Sequence, residues 1–151
     1  MDRVAETLVR IAALGLIVMT CVVGWQVFGR FVLNSSPSWT EQAALILMIW
    51  YVFFAAAAGV WERFHIRIEL LENRLTQANR RRLRIAIHAV LIVFGLVLLV
   101  FGAQLTWLVR DHVVPSLGIS RAIAYAPIPF AGLLTIIFSI ARIRVRLKEP
   151  A

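Results

Sequence analysis

Long uncharged and strongly apolar stretches alternate with short charged stretches along the whole chain. Four stretches contain no Asp, Glu, Lys or Arg: residues 11–29, 43–61, 85–109 and 122–141. A helix of about 20 residues spans the hydrocarbon core of a bilayer, and these stretches match that length. They lack the strict alternation that is typical of a transmembrane strand. The pattern therefore predicts an all-α integral membrane protein, one domain over residues 1–151 with four transmembrane helices at these positions.

The segments between the predicted spans carry turn signals and one amphipathic pattern. Asn34 to Pro37 interrupt the chain after the first span, and Pro115 and Gly118 do so after the third. Within residues 66–75, the apolar side chains recur at helical spacing while the charged ones fall elsewhere. This pattern predicts a short interfacial helix between the second and third spans, with an irregular loop as the alternative.

Composition supports a membrane protein and explains the charge. The chain is 61% hydrophobic and 16% charged, with a net charge of +8, whereas soluble domains are about 45–50% apolar and about 25% charged. Lys and Arg number 2 before the first span, 1, 7 and 2 in the three loops, and 4 in the tail. This distribution places both termini in the cytoplasm. The basic excess is therefore a topology signal and needs no nucleic acid partner.

The cytoplasmic segments carry a cluster of arginines at the start of the third span. Arg80, Arg81, Arg82 and Arg84 lie at a predicted membrane end, where each basic residue gains about 1 kcal/mol from anionic lipid. We therefore expect membrane lipids as partners of this cluster.

The spans hold few groups that support transport or redox chemistry. They contain no Asp, Glu, Lys or Arg, and His88 is their only histidine. Cys21 is the only cysteine of the chain, so the cysteine pairs of disulfide oxidases and the histidine pairs of haem-binding bundles are missing. The sequence predicts no catalytic residue, cofactor or metal site in this chain. His88 is interpreted as a packing or interfacial histidine, with a proton relay as the alternative.

Aromatic and glycine positions indicate packing surfaces. Trp25, Trp39 and Trp107 fall near one predicted interface and Trp61 near the other, as in an aromatic belt. Trp50 and Tyr51 lie near the centre of the second span, where a packing surface explains them better. Close helix approach is expected at two pairs of glycines: Gly95 with Gly102, and Gly15 with Gly24.

Several loop motifs, taken in order, identify a family. They are Gln-Val-Phe-Gly-Arg-Phe-Val-Leu-Asn at 26–34, Trp-Thr-Glu at 39–41, Arg-Phe-His-Ile-Arg-Ile-Glu-Leu-Leu at 63–71, Arg-Arg-Leu at 81–83, Ser-Leu-Gly-Ile at 116–119, and Tyr125 with Pro129 and Gly132. Over four spans this order resembles the small membrane subunit (DctQ type) of tripartite ATP-independent periplasmic (TRAP) transporters. Two departures are Gln42, where the family often has a second acid, and Thr76, near the family's usual proline.

The resemblance implies a non-enzymatic small permease subunit of a sodium-coupled secondary importer of organic acids in the bacterial inner membrane. Its partners would be a large membrane subunit (DctM type), which holds the substrate and sodium sites, and a periplasmic substrate-binding protein (DctP type). This chain would extend the scaffold of the large subunit and help dock the binding protein. Two alternatives stay open: an accessory or assembly subunit of another membrane complex, and a small four-helix exporter. The exporter would need an acid in the first span, and residues 11–29 contain none.

On this basis we assign expected roles to side chains. Contacts with a partner subunit or docking contacts are expected from Arg30, Asn34, Trp39, Glu41, Trp50, Tyr51, Arg110, Asp111 and Arg121. A structural tie between the second span and the interfacial helix is expected from Arg63, His65 and Glu69, which can meet if the chain turns there; regulation by pH through His65 is the alternative.

Overall fold

The computed structural model describes residues 2–35, 37–62 and 77–148. Its elements are α1 (Asp2–Phe31), α2 (Ser38–Glu62), α3 (Gln77–Leu108), β1 (Val113–Val114), β2 (Ile119–Ser120), α4 (Arg121–Tyr125) and α5 (Pro127–Lys148). Four stretches are long and apolar enough to cross a membrane: Asp2–Phe31, Ser38–Trp61, Arg82–Leu108 and Arg121–Arg144. The predicted all-α membrane fold is therefore confirmed. The interfacial helix predicted over 66–75 lies outside the described residues.

The long helices run antiparallel and define two ends of the molecule. At the first end α1 and α3 begin and α2 and α5 finish, as the contact between Asp2 and Trp61 shows. At the second end α1 and α3 finish and α2 and α4 begin. The second end carries the described loop residues 32–35 and 37 and the β-hairpin.

The helices form two antiparallel pairs that meet along a third contact. α1 packs along α2, α3 packs along α5, and α2 packs on α5. In the most apolar window of each span, 6% of residues are buried for α1 and 11% for α3, but 39% for the span that contains α5. Thus α1 and α3 are outer helices that expose most of their apolar surface, whereas α5 is central.

The contact of α1 with α2 follows a seven-residue repeat. Apart from Val9, the positions of α1 that are buried or half-buried are Ala5, Leu8, Ala12, Gly15, Met19, Val22, Gln26 and Gly29. Alternating steps of three and four residues keep one narrow seam against a neighbouring helix, as in left-handed membrane bundles. A Cβ atom at Gly15 would lie 3.1 Å from the Tyr51 Cβ atom, so the helices are close at this point. Gly24 has no atom within 4 Å of such a position, and the expected close approach there is wrong.

Glycines bring the backbones of α3 and α5 together. A Cβ atom on Gly132 would lie 2.7 Å from both the Gly95 carbonyl oxygen and the Leu99 amide nitrogen. A Cβ atom on Gly102 would lie 2.8 Å from the Ile128 Cγ2 atom. Such distances leave no room for a side chain, so the close approach predicted for Gly95 and Gly102 is confirmed. Packing of this kind replaces the hydrophobic driving force that is missing between helices in lipid.

A polar and aromatic cluster joins three helices at the first end; we call Asp2, Trp61, Phe138 and Arg142 the first-end cluster. The Trp61 indole donates to the Asp2 carboxylate at 2.7 Å, and its ring centroid lies 5.6 Å from that of Phe138. The Arg142 guanidinium lies 4.2 Å from the Trp61 ring centroid and donates to the Trp61 carbonyl. Trp61 therefore does more than anchor at a membrane interface, because it links α1, α2 and α5.

The fourth predicted span, 122–141, is confirmed within Arg121–Arg144, and one irregular residue divides its helix into α4 and α5. α4 ends at Tyr125 and α5 begins at Pro127, with Ala126 between them in the right-handed helical region at φ −51° and ψ −36°. The physical cause is proline, since Pro127 and Pro129 have no amide N–H to continue the helical ladder. The other helices extend beyond the uncharged stretches because Arg and Glu at their ends are good helix formers.

Candidate docking surface

A short β-hairpin organises the loop of residues 109–120 at the second end. β1 and β2 pair antiparallel, with Val113 opposite Ser120 and Val114 opposite Ile119. The Val114 carbonyl accepts from the Leu117 amide at 3.1 Å and from the Gly118 amide at 2.9 Å. Gly118 has φ +67°, a left-handed conformation that glycine adopts without a steric penalty. The sequence predicted a chain break here but not the strand pairing.

Ser120 fixes this loop to the start of α4. Its hydroxyl donates to the Arg110 carbonyl at 2.6 Å and accepts from the Ala122 amide at 3.2 Å, which makes Ser120 the N-cap of α4. The Arg121 amide donates to the His112 carbonyl at 2.8 Å. Both strands of the hairpin are thereby tied to one short helix. A serine directly before a helical run is an N-cap signal that the sequence already contained.

Charged groups of this loop are solvent-accessible. The Arg110 guanidinium lies 3.9 Å from the Trp107 ring centroid, an arrangement that orients the cation by attraction to the ring face. Its Nε atom is 3.4 Å from the Asp111 carboxylate, and the two side chains are 47% and 83% exposed. Arg121 is also exposed. At this exposure the ion pair contributes little to stability, so both charges stay available for contacts.

The loop after α1 turns sharply through a left-handed asparagine. Asn34 has φ 49°, a conformation that Asn tolerates better than most residues. The Ser35 amide donates to the Gly29 carbonyl at 3.0 Å. A Cβ atom on Gly29 would lie 2.9 Å from the Ser35 carbonyl oxygen, so the loop folds directly onto the last turn of α1.

The start of α2 continues this surface. The fully buried Thr40 donates its hydroxyl to the Pro37 carbonyl at 2.7 Å, which holds the first turn of α2 against the loop. Trp39 and Glu41 on this turn are exposed. Glu41 lies in the first helical turn, where the helix dipole favours a carboxylate.

Seven of the predicted site residues share the second end and are exposed: Arg30, Asn34, Trp39, Glu41, Arg110, Asp111 and Arg121. We call the loops that carry them, residues 30–41 and 109–121, the second-end surface. Its mixture of cations, carboxylates and the exposed Trp39 indole suits a polar protein partner at a membrane boundary. A docking role for these side chains stays a prediction.

Trp50 and Tyr51 make contacts inside the chain. The Trp50 indole donates to the Ile123 carbonyl at 3.0 Å, and the Tyr51 Cβ atom faces Gly15 of α1. Their predicted role in subunit contact is untested. The partner of Trp50 was not predicted, although Pro127, four residues after Ile123, was a signal that this carbonyl lacks its helical donor.

The remaining predicted residues belong to the first end or lie outside the described part. Arg80 and Arg81 lie in the first turns of α3, Arg82 is exposed and Arg84 is half-buried. His88, half-buried on α3, keeps both interpretations open. The predicted tie of Arg63, His65 and Glu69 lies outside the described residues. Within residues 2–35, 37–62 and 77–148, no three His, Cys, Asp or Glu side chains are grouped so that they could hold a metal ion.

Comparison with known proteins gives concordant matches. Residues 19–149 match the family model of the DctQ component of tripartite ATP-independent periplasmic transporters. The chain is 29% identical over 127 residues to the ectoine TRAP transporter small permease protein TeaB of Halomonas elongata, covering 83% of this chain and 66% of that protein. It is 24% identical over 126 residues to the sialic acid TRAP transporter small permease protein SiaQ of Vibrio cholerae, covering 83% and 72%. The matched region is thus just under two thirds of the length of the first relative.

Proposed function

Since the chain belongs to the DctQ-component family of tripartite ATP-independent periplasmic transporters, we propose that it acts as the static scaffold subunit of such an importer. It is a small permease subunit and a multi-pass protein of the bacterial inner membrane. In the proposed assembly it binds a large membrane subunit, which holds the substrate and sodium sites. It also contributes to the surface on which a periplasmic substrate-binding protein docks.

The observation that carries the scaffold role is the chemistry of the four uncharged stretches. A subunit that moves an organic acid and sodium needs ionisable or coordinating groups at membrane depth, and such groups are costly there and are tolerated for function. Residues 11–29, 43–61, 85–109 and 122–141 contain no Asp, Glu, Lys or Arg, and His88, near the end of its stretch, is their one ionisable imidazole. The close contacts of α3 with α5 through Gly95 and Gly132 also suit a rigid support better than a moving element.

We assign the first end to the cytoplasm and the second end to the periplasm. The segments of the first end carry 13 of the 16 Lys and Arg residues, and basic residues favour the cytoplasmic side. Anionic headgroups at that side are the proposed partners of Arg82 and the neighbouring arginines of α3. The second-end surface then faces the compartment in which a binding protein delivers substrate.

The substrate of the assembly is proposed to be an organic acid, imported with sodium. The relatives are described as small permease proteins of an ectoine and a sialic acid transporter, and both compounds carry a carboxylate. Because the spans of this chain offer no embedded cation, the groups that select the substrate are assigned to the other subunits. No cofactor is assigned to this chain.

Purification of the tagged chain from its native membrane in mild detergent tests the subunit assignment. We expect one membrane protein with many spans to copurify in a stoichiometric amount, without haem or flavin absorbance. Recovery of the chain alone, as a homodimer that transports after reconstitution, would contradict the scaffold role and favour a small exporter. A coloured complex would favour an accessory subunit of a respiratory enzyme.

Capture of the substrate-binding protein by the reconstituted complex is expected to depend on the arginines of the second-end surface. Replacing Arg110 and Arg121 together by Gln should weaken capture by roughly two- to thirtyfold, since exposed ion pairs contribute about 0.2–1 kcal/mol each. Capture by the parent should also fall between ionic strengths of about 0.01 and 0.1 M, over which the Debye length decreases from about 30 to about 10 Å. Both effects are measured as the affinity of the substrate-binding protein for surface-attached complex at a series of salt concentrations.

A matched variant at the other end separates docking from general charge. Arg82→Gln removes an exposed cation from α3 at the first end, and capture should not change. Equal loss of capture in this variant and in the Arg110/Arg121 variant would exclude a specific role of the second-end surface. Capture that is independent of salt would contradict electrostatic docking through these arginines.

A further inference from the structure

Pro127 removes one hydrogen bond from the helical ladder between α4 and α5. In a continuous helix, the amide of residue 127 would donate to the Ile123 carbonyl, but proline has no N–H and its ring displaces that carbonyl. The backbone stays helical through Ala126, and its amide still donates to the Ala122 carbonyl at 2.9 Å. The Ile123 carbonyl is therefore the specific acceptor that loses its donor.

The Trp50 indole supplies the missing donor from another helix. Its Nε1 atom donates to the Ile123 carbonyl at 3.0 Å across 73 positions of sequence. Trp50 lies midway along α2, which runs from Ser38 to Glu62. Its ring is held edge-on by Phe54, with ring centroids 5.5 Å apart and an interplanar angle of 85°. At this depth water is scarce, so a carbonyl without a donor is costly and the indole bond is favoured.

The bond to Ile123 is connected through α4 to residues 109–121, one of the two loops of the second-end surface. Ile123 is in α4, and the residue that caps α4, Ser120, donates to the Arg110 carbonyl. Arg121, the first residue of α4, donates its amide to the His112 carbonyl. A fixed α4 therefore fixes both strands of the hairpin and the backbone of Arg110. These contacts form a continuous chain of hydrogen bonds from Trp50 in the middle of α2 to the loop of residues 109–121.

We propose that Trp50 is a positioning residue for the docking surface: its indole replaces the amide that Pro127 lacks and holds α4, and thereby residues 109–121, in the orientation that a substrate-binding protein recognises. The proposal rests on the docking role given above. It assigns to Trp50 an effect on docking without contact with the partner.

The test compares Trp50→Phe with a double variant that restores a donor. Trp50→Phe keeps an aromatic ring but removes the N–H group, whereas Pro127→Ala supplies a backbone amide at the position that faces the Ile123 carbonyl. In a Cys21→Ser background, the substitution Leu117→Cys reports on the loop through the rate at which its thiol reacts with a polar maleimide. We expect about three- to twentyfold faster labelling in Trp50→Phe, the shift given by loss of one interhelical hydrogen bond in a membrane.

Rescue by the amide distinguishes positioning from simple loss of packing. The double variant Trp50→Phe/Pro127→Ala should return to the parental labelling rate, because the helical ladder then satisfies Ile123. In the control Trp50→Phe/Pro129→Ala the labelling rate should stay as high as in Trp50→Phe, since the amide of residue 129 faces the Tyr125 carbonyl and leaves the Ile123 carbonyl without a donor. Equal rates in the two double variants, or an unchanged rate in Trp50→Phe, would overturn the proposal. If Trp50→Phe does not accumulate in the membrane, the amounts of the two double variants are compared instead. Accumulation of Trp50→Phe/Pro127→Ala without accumulation of Trp50→Phe/Pro129→Ala then supports the proposal, and equal amounts of the two contradict it.

Capture of the substrate-binding protein by the same variants separates this proposal from the proposed function. Loss of capture in Trp50→Phe and recovery in the Pro127 double variant would support both. Altered labelling with full capture would show that Trp50 positions the loop but that the loop does not dock the partner, which overturns the proposal as stated and the docking role with it. Unaltered labelling with salt-sensitive capture would overturn only the role of Trp50.

Discussion

Gly132→Ala is expected to destabilise the protein, although alanine is normally the better helix residue. The added Cβ atom would lie 2.7 Å from the Gly95 carbonyl oxygen and from the Leu99 amide nitrogen, and 3.0 Å from the Leu98 Cβ atom. Two of these neighbours are backbone atoms that no rotamer change can move, so α3 and α5 must separate. Overpacking of this kind typically costs about 1–3 kcal/mol, and we expect the upper part of that range in unfolding of the purified chain in mixed micelles.

Gly24→Ala is the matched control because it makes the same change where space is open. No atom lies within 4 Å of the position that its Cβ would take on α1. The helix propensity of alanine should then raise the free energy of unfolding by at most about 1 kcal/mol. The two variants are therefore expected to change the free energy of unfolding in opposite directions. A Gly132→Ala protein that is as stable as Gly24→Ala would show that α3 and α5 are not in close contact.

Trp61→Ala is expected to produce the other large effect, by loosening three helices at once. The change removes the hydrogen bond to Asp2, the ring contact with the fully buried Phe138 and the surface over which Arg142 lies. Replacing a buried aromatic residue by alanine costs about 3–5 kcal/mol, and because Trp61 is half-buried we expect about 3 kcal/mol. Unfolding in mixed micelles measures this change directly.

Two further variants divide the effect of Trp61 into its parts. Trp61→Phe keeps a ring beside Phe138 and Arg142 but loses the donor to Asp2, so it should lose clearly less stability than Trp61→Ala. Trp25→Ala removes an indole that is 50% exposed and whose ring contact is with Phe28 of the same helix, and it should change stability little. If Trp25→Ala and Trp61→Ala were equally destabilised, the first-end cluster would not join the helices.

The spans and the glycine contacts of α3 were predictable because they depend on local composition. Uncharged stretches of about 20 residues have few alternatives to a membrane helix. Gly95 and Gly102 lie seven residues apart, which places them on one face of α3 whatever the partner helix is. Gly15 and Gly24 are nine residues apart and cannot share a face in the same way, and only Gly15 meets a neighbour.

The contacts that link distant segments were not predictable because each needs the spatial order of the helices. Nothing local to Trp50 indicates that α4 lies beside it, and nothing local to Asp2 indicates Trp61. Pro127 does predict that Ile123 lacks a donor, but the identity of the replacement depends on α2 packing against the last span. The sequence indicated which residues belong to the second-end surface. It did not indicate the hairpin that shapes this surface, because the hairpin depends on the pairing of Val113 with Ser120.

The order of helix contacts bears on how the chain is made. Each helix pair consists of consecutive membrane spans, α1 with α2 and α3 with the span that contains α5. The contacts that hold the first pair can therefore form before those of the second pair as the chain is made. The first hairpin is whole once residue 62 has left the ribosome, before α3, which begins at Gln77, has emerged. Membrane insertion can thus deliver two self-contained hairpins, and assembly of the subunit then reduces to one docking step, that of α5 on α2.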